Sequence, residues 1–99
     1  MLKITSNVEK KKAMLTLEGS VDTSSAREFD NVIMQLLDSV DEIVIDCKDL
    51  EYISSAGLRV IMAALQSKTK DDWFKMVHVN EPVMEVLDMT GFTELLVIE

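Results

Sequence analysis

The feature that most constrains this chain is the run Ile43-Val44-Ile45, which continues through Asp46 to Cys47 and is followed within a few residues by a helical pattern. A strand that is apolar without alternation suits burial on both faces, the condition of a strand inside a parallel sheet. We read Glu42 to Cys47 as such a strand. After a short loop, Leu58, Ile61, Met62 and Leu65 recur at helical spacing and mark an amphipathic helix that starts at Ser54-Ser55, both good capping residues. A buried strand feeding a helix is the unit of an α/β fold.

The rest of the chain extends that unit in both directions. Leu2 to Val8 is a strand candidate. Ala13 to Glu18 alternates more cleanly, with Ala13, Leu15 and Leu17 on one face, and the polar Glu9 to Lys12 between them suits a hairpin turn. A turn-rich run from Gly19 to Ser25 leads into a helix whose Phe29, Val32, Ile33, Leu36 and Leu37 share a face. Ser25 with Glu28 can form a capping box there, and Asp22 or Thr23 can cap instead. Trp73 to Val79 reads as a strand. Glu81-Pro82 opens a third helix, with Val83, Val86, Leu87 and Thr90 on one face and Gly91 as its stop. Leu95 to Ile98 is a last short strand. The order β-β-α-β-α-β-α-β implies one α/β domain, a mixed sheet with helices packed on it.

With 99 residues, 47% of them hydrophobic and 28% charged, the chain fits one globular domain. Its net charge of −8 disfavours nucleic acid and anionic lipid as partners and suits a basic protein partner, although the charge can equally serve solubility alone. No apolar run approaches the ~20 residues of a membrane helix, and no signal peptide is legible, so no membrane insertion is expected and the expected location is the cytoplasm. Cys47 is the one cysteine, so no internal disulfide is possible; beside Ile43 to Ile45 it reads as a small buried apolar residue.

Enzymatic signatures are missing. There is no glycine-rich phosphate loop, no H-E-x-x-H and no cysteine pair for a metal, so no cofactor is expected. His78 stands among Met76, Val77 and Val79 as a structural strand residue. Asp46, Asp49, Asp71 and Asp72 read as solvated loop or strand-end charges. Among the seven methionines, Met62 and Met76 read as packing, and Met84 and Met89 as candidates for exposed contact. The remaining candidate is Ser54-Ser55, where a strand ends and a helix begins. Functional groups in parallel sheets gather at such strand ends, and the first turn of a helix tolerates a phosphate. On local physics the two serines either cap the helix or offer a phosphate acceptor, and capping is the simpler reading.

Three motifs in order carry a resemblance: Leu17-Glu18-Gly19-Ser20-Val21-Asp22; Ile43 to Asp46 with Leu50 and Tyr52-Ile53-Ser54-Ser55-Ala56-Gly57-Leu58; and Val86-Leu87 with Thr90-Gly91-Phe92 and Leu95-Leu96. Over essentially its whole length the chain resembles the STAS domain, specifically the bacterial anti-sigma factor antagonists. That family's fold is a mixed sheet with helices packed on it. Its phosphorylated serine stands two residues before the motif glycine, which implies Ser55 here, with Ser54 as the alternative. Relatives often carry aspartate before the acceptor and serine or threonine after it; this chain has Ser54 and Ala56. The resemblance implies a partner-binding surface of Asp22, Ser54, Ser55, Ala56 and Gly57. It implies that the unphosphorylated protein binds an anti-sigma factor with serine kinase activity and releases the sigma factor. Phosphorylation then switches binding off, and a serine phosphatase resets it. Competing readings are a STAS binding module in a stress-sensing or lipid-transport complex and, further off, a nucleotide-binding protein or enzyme.

Overall fold

A computed structural model describes residues 2–67 and 73–99. Eight main elements follow in the expected order: β1 (Leu2–Glu9), β2 (Lys12–Val21), α1 (Ala26–Leu37), β3 (Glu42–Ile53), α2 (Ser55–Ser67), β4 (Phe74–Val77), α3 (Glu81–Met89) and β5 (Val97–Ile98). A single 3-10 turn, Phe92–Glu94, precedes β5. The strands lie side by side in chain order; β1 pairs antiparallel with β2 and every other pair is parallel. The fold is therefore the mixed α/β sheet that the element order implies.

Parallel neighbours in chain order need crossovers, and right-handed crossovers that advance in one direction place their helices on one face of the sheet. The core reflects this. Ala13, Leu15, Leu17, Ile43, Ile45, Cys47 and Met76 from the strands join Phe29 and Ile33 of α1, Leu58 and Ile61 of α2, and Val83 and Leu87 of α3 in one cluster. Val44 lies outside that cluster and yet is only 5% exposed. The strand is thus buried on both faces as its composition implies, although the helices cover only one of them. Val44 sits on the open face, where its register neighbours Met14 and Lys75 flank it within the sheet and shield it from water.

The largest difference from the sequence reading is the length of β2 and β3. The run Gly19-Ser20-Val21, read as turn, continues β2, and β3 runs on past Cys47 to Ile53 where a loop was expected. Asp46 and Asp49 are therefore inside a strand. Two irregularities explain why this was hidden. The β2–β3 register shifts between Thr16 and Glu18 and again between Gly19 and Ser20, each inserting an extra residue into β3. The bulges rephase the strand, so that Cys47, Leu50 and Ile53 all face the core at a spacing of three. That spacing is not the alternation by which a strand is recognised.

Smaller corrections follow the same logic. The fourth strand is shorter than Trp73 to Val79, and His78 lies beyond its end in a left-handed conformation (φ 56). The last strand shrinks to Val97–Ile98 because Phe92–Glu94 takes up the chain after Gly91, whose φ of 81 ends α3. Thr90 is exposed, and its hydroxyl returns to the Val86 carbonyl at 2.7 Å. The Cys47 thiol is buried, and burial pushes its pKa up to about 12.

Asn80 ties the bulged strand to the third helix. Its Oδ1 accepts from the Val83 amide at 3.0 Å, capping α3, while its Nδ2 donates to the Leu50 carbonyl at 2.6 Å. Asn80→Ala removes the cap and strands a bulge carbonyl together. The expected loss is about 1–3 kcal/mol of unfolding free energy, read from urea denaturation.

Candidate functional site

The carboxyl ends of β2 and β3 meet where the chain enters α1 and α2. Val21 pairs with Ile53, and one residue on the Ser54 amide donates to the Val21 carbonyl at 2.8 Å. This bond sets Asp22 and Ser54, each the first residue beyond its strand, at neighbouring strand ends. The junction proposed from sequence is real, and the surface around it draws on both β-α connections.

The two serines occupy different positions. Ser54 is half-buried; its carbonyl accepts the Leu58 amide at 3.0 Å and its Oγ accepts from the Gly57 amide at 3.4 Å. Ser54 is therefore the cap of α2. Ser55 is the first residue of the helix and is exposed, and its hydroxyl has no hydrogen-bond partner among the described residues. The first-turn amides of α2 have no acceptor further back in the helix, and the helix dipole adds positive potential beside Ser55. Ala56 is half-buried, and neither an acidic nor a basic side chain stands in this first turn.

Gly57 holds the helix against the sheet. A Cβ built there would lie 2.6 Å from Val21 Cγ1 and 2.8 Å from Ile53 Cγ1, well inside contact distance. Both neighbours are core residues at the very strand ends that carry Asp22 and Ser54. Only a residue without a Cβ lets α2 approach this closely.

Asp22 organises the opposite side of the junction. Its Oδ1 accepts from the Ser24 amide (3.0 Å), the Ser24 hydroxyl (2.7 Å) and the Ser25 amide (3.0 Å), and lies 3.1 Å from the Ser25 hydroxyl. Its carbonyl accepts the Ala26 amide at 2.8 Å. Ser25 Oγ in return accepts from the Asp22 amide at 2.9 Å and lies 3.0 Å from the Ser20 carbonyl. This is a reciprocal capping box in which Asp22 caps the turn at residues 23–25 that leads into α1; Ser25, directly before the helix, makes no side-chain cap bond to it. Of the alternatives open at the sequence level, Asp22 takes the capping role, and Glu28 is an exposed side chain outside it. The Ser24 hydroxyl, with the Ser25 amide and hydroxyl, lowers the Asp22 pKa to about 2 from its ordinary 3.8. Asp22 is thus a fixed negative charge beside the α2 entrance.

Two residues named in the sequence only as a capping candidate and as part of a motif also stand at this surface. Ser25, 8% exposed, is the hydrogen-bonding centre of the Asp22 turn, and Tyr52, 51% exposed, stands two residues before Ser54. A D-x-x-S pattern after a strand was the available signal for the first; the bulge that turns Tyr52 outward left no signal in the sequence. His78 is not the strand residue expected, since β4 ends at Val77. Its exposed ring places Nδ1 3.0 Å from Asp46 Oδ1. Partial burial pushes the Asp46 carboxyl up, but hydrogen bonds from His78 and the Lys48 amide outweigh it and hold the pKa below the ordinary value. Met76 is buried and Met62 half-buried; Met89 is 85% exposed as expected, whereas Met84 is half-buried. Asp71 and Asp72 lie outside the described residues. Among the described residues no three or more His, Cys, Asp or Glu side chains gather to hold a metal ion, and no helix is long and apolar enough to cross a membrane.

Comparisons with known proteins converge on one family. The family model described as Mlab, STAS domain, matches residues 4–98. A Bordetella bronchiseptica protein provisionally named anti-sigma factor antagonist BtrV is 30% identical over 81 residues, covering 80% of this chain and 70% of that protein. The crystal structure of an anti-sigma factor antagonist from Mycobacterium paratuberculosis superposes with a TM-score of 0.89 at 19% identity, covering 99% of this chain and 85% of that one. The Bacillus cell fate determinant SpoIIAA, in its phosphorylated form, superposes at 0.70 with 13% identity, covering 100% and 91%.

Two outcomes test this geometry. Gly57→Ala gains helix propensity but drives a methyl into Val21 and Ile53, so thermal melts are expected to show a net loss of about 1–3 kcal/mol. Asp22 has its pKa lowered by folding, so its ionised form contributes stability fully above pH 3.8, and the contribution disappears as pH falls toward about 2. The melting-temperature gap between the native chain and Asp22→Asn should therefore be constant at neutral pH and close across that acid window.

Proposed function

The chain belongs to the STAS-domain family, and from that membership we propose that it is an anti-sigma factor antagonist whose binding is switched off by phosphorylation of Ser55. In this reading the unphosphorylated surface around Asp22, Ser54, Ser55, Ala56 and Gly57 docks an anti-sigma factor that is also a serine kinase, and the sigma factor is released. The kinase transfers the γ-phosphoryl group of ATP to Ser55 Oγ, ADP leaves, and the complex loosens. A serine phosphatase hydrolyses the ester and restores binding. The protein acts as a regulator and kinase substrate rather than as an enzyme, and works in the cytoplasm.

The observation that carries this proposal is the division of labour between the two serines. Ser54 is committed to the fold through its cap bond, while Ser55 presents an unengaged hydroxyl on the surface. A phosphate on Ser55 leaves the Ser54 cap, the Gly57 contact and the core in place. The helix dipole favours it locally. At the same time it adds about −1.5 to −2 charge to a surface that already holds ionised Asp22. The fold therefore survives modification and the interface does not, because a dianion buried against a partner without a matching cation is costly. The names of the Bordetella and Mycobacterium relatives and the phosphorylated form of the Bacillus protein support the same reading.

The test is a pull-down from host lysate followed by phosphorylation with ATP and the recovered partner. A histidine-kinase-like ATPase is the expected partner; a complex without one would favour a STAS module in a stress-sensing or lipid-transport assembly. Ser55→Ala should stay bound and take up no phosphate, and Ser55→Asp should bind about tenfold or more weakly. Full phosphorylation of Ser55→Ala would move the acceptor to Ser54.

A further inference from the structure

β1 ends the sheet, and among the described residues only β2 pairs with it. Sheet edges are ordinarily blunted by bulges, proline or shortness, because their free amides and carbonyls invite another strand. None of these three is present, and the charges that can also guard an edge are limited to Lys3 and Glu9. β1 is eight residues long, contains no proline, and pairs from Leu2↔Gly19 to Glu9↔Lys12 without a slip. The contrast with the twice-bulged β2–β3 pair is plain. Thr5 to Glu9 are exposed. Val8 is 50% exposed although it lies opposite Ala13, which is fully buried on the helix side of the sheet. An apolar side chain is left uncovered at the margin of the core.

We infer that the free edge of β1 pairs antiparallel with the same edge of a second copy, in a two-fold dimer centred on Ser6. The strand is self-complementary in that register. Its only charged residues are Lys3 and Glu9, and they stand symmetrically about Ser6. Centring on Ser6 sets Lys3 against Glu9 of the second copy, twice. It also sets Ile4 against Val8 of the second copy, twice, which covers the uncovered valine, and Thr5 against Asn7. No other register of Leu2–Glu9 on itself opposes the two charges. Facing residues share a side of an antiparallel sheet, so both helix layers lie on one face of a continuous sheet joined by main-chain hydrogen bonds. Pairing that is local and matched is what two acidic bodies of net charge −8 require to associate. The strands run in opposite directions, so the two Ser55 surfaces point to opposite ends of the dimer and both remain free. This inference is independent of the proposed function.

Sedimentation equilibrium of the native chain in ~0.15 M salt, where the Debye length is about 8 Å, tests it. The native chain should show a monomer–dimer equilibrium below about 1 mM. Across the dimer, Lys3→Glu and Glu9→Lys each replace two attractive contacts with two like-charge ones and should weaken it about tenfold or more; within each copy they also oppose Glu18 or Lys12 of β2, an effect the melts of each variant register separately. The double variant Lys3→Glu/Glu9→Lys restores the pairs across the dimer, though not those with Glu18 and Lys12 of β2, and should associate more tightly than either single variant. Circular dichroism melts confirm that each variant folds. A native chain that is monomeric throughout, a single variant that associates like the native chain, or a double variant no tighter than the single ones overturns the inference.

Discussion

The parallel pairing of β2 with β3 is the contact on which the rest depends. It runs from Lys12↔Glu42 to Val21↔Ile53, nearly the full length of both strands. Parallel pairing obliges the chain to cross over through α1, and it aligns the two carboxyl ends. The Ser54 amide then extends the pairing by one bond to the Val21 carbonyl. Everything at the junction follows from that alignment. Asp22 caps the way into α1, Ser54 caps α2, and Gly57 lets α2 settle on Val21 and Ile53.

The two bulges in β3 are part of this arrangement. They let one strand match a shorter partner while continuing to present apolar side chains to the helices at Cys47, Leu50 and Ile53. The Leu50 carbonyl, next to a bulge, is taken by Asn80, so the irregularity in the sheet is repaired from the start of α3. An unpaired buried carbonyl in the centre of so small a domain would cost a sizeable share of its stability.

Element type and order were legible because periodicity reports which face of an element is buried. The faces of α1 and α2 and the alternation of Ala13, Leu15 and Leu17 were readable for this reason. The second half of β3 was not, since a bulge replaces a period of two with a spacing of three. Nor could Ile43-Val44-Ile45 reveal that Val44 is covered by its sheet neighbours rather than by a second helix layer, because hydropathy records burial and not its source. At the site, Ser54 and Ser55 are equivalent as capping residues on paper. They separate only through the bond from Ser54 to the end of a strand more than thirty residues earlier, a long-range fact. The Ser25–Glu28 and Asp22–Ser25 boxes likewise differ by where the first helical bond closes, which sequence leaves open by a residue or two.

Cys47 sits midway along β3 under the helices, with its proton retained up to about pH 12. The thiolate is the form that reacts with alkylating agents and oxidants, so at neutral pH the folded domain offers them almost nothing. Fraying at the ends of the sheet does not expose it either; the helix layer packed over the middle of β3 must lift away. The rate at which this sulfur can be trapped is therefore a clock for opening of the core, and oxidants that reach the folded domain meet exposed methionines such as Met34 and Met89 before they meet the thiol.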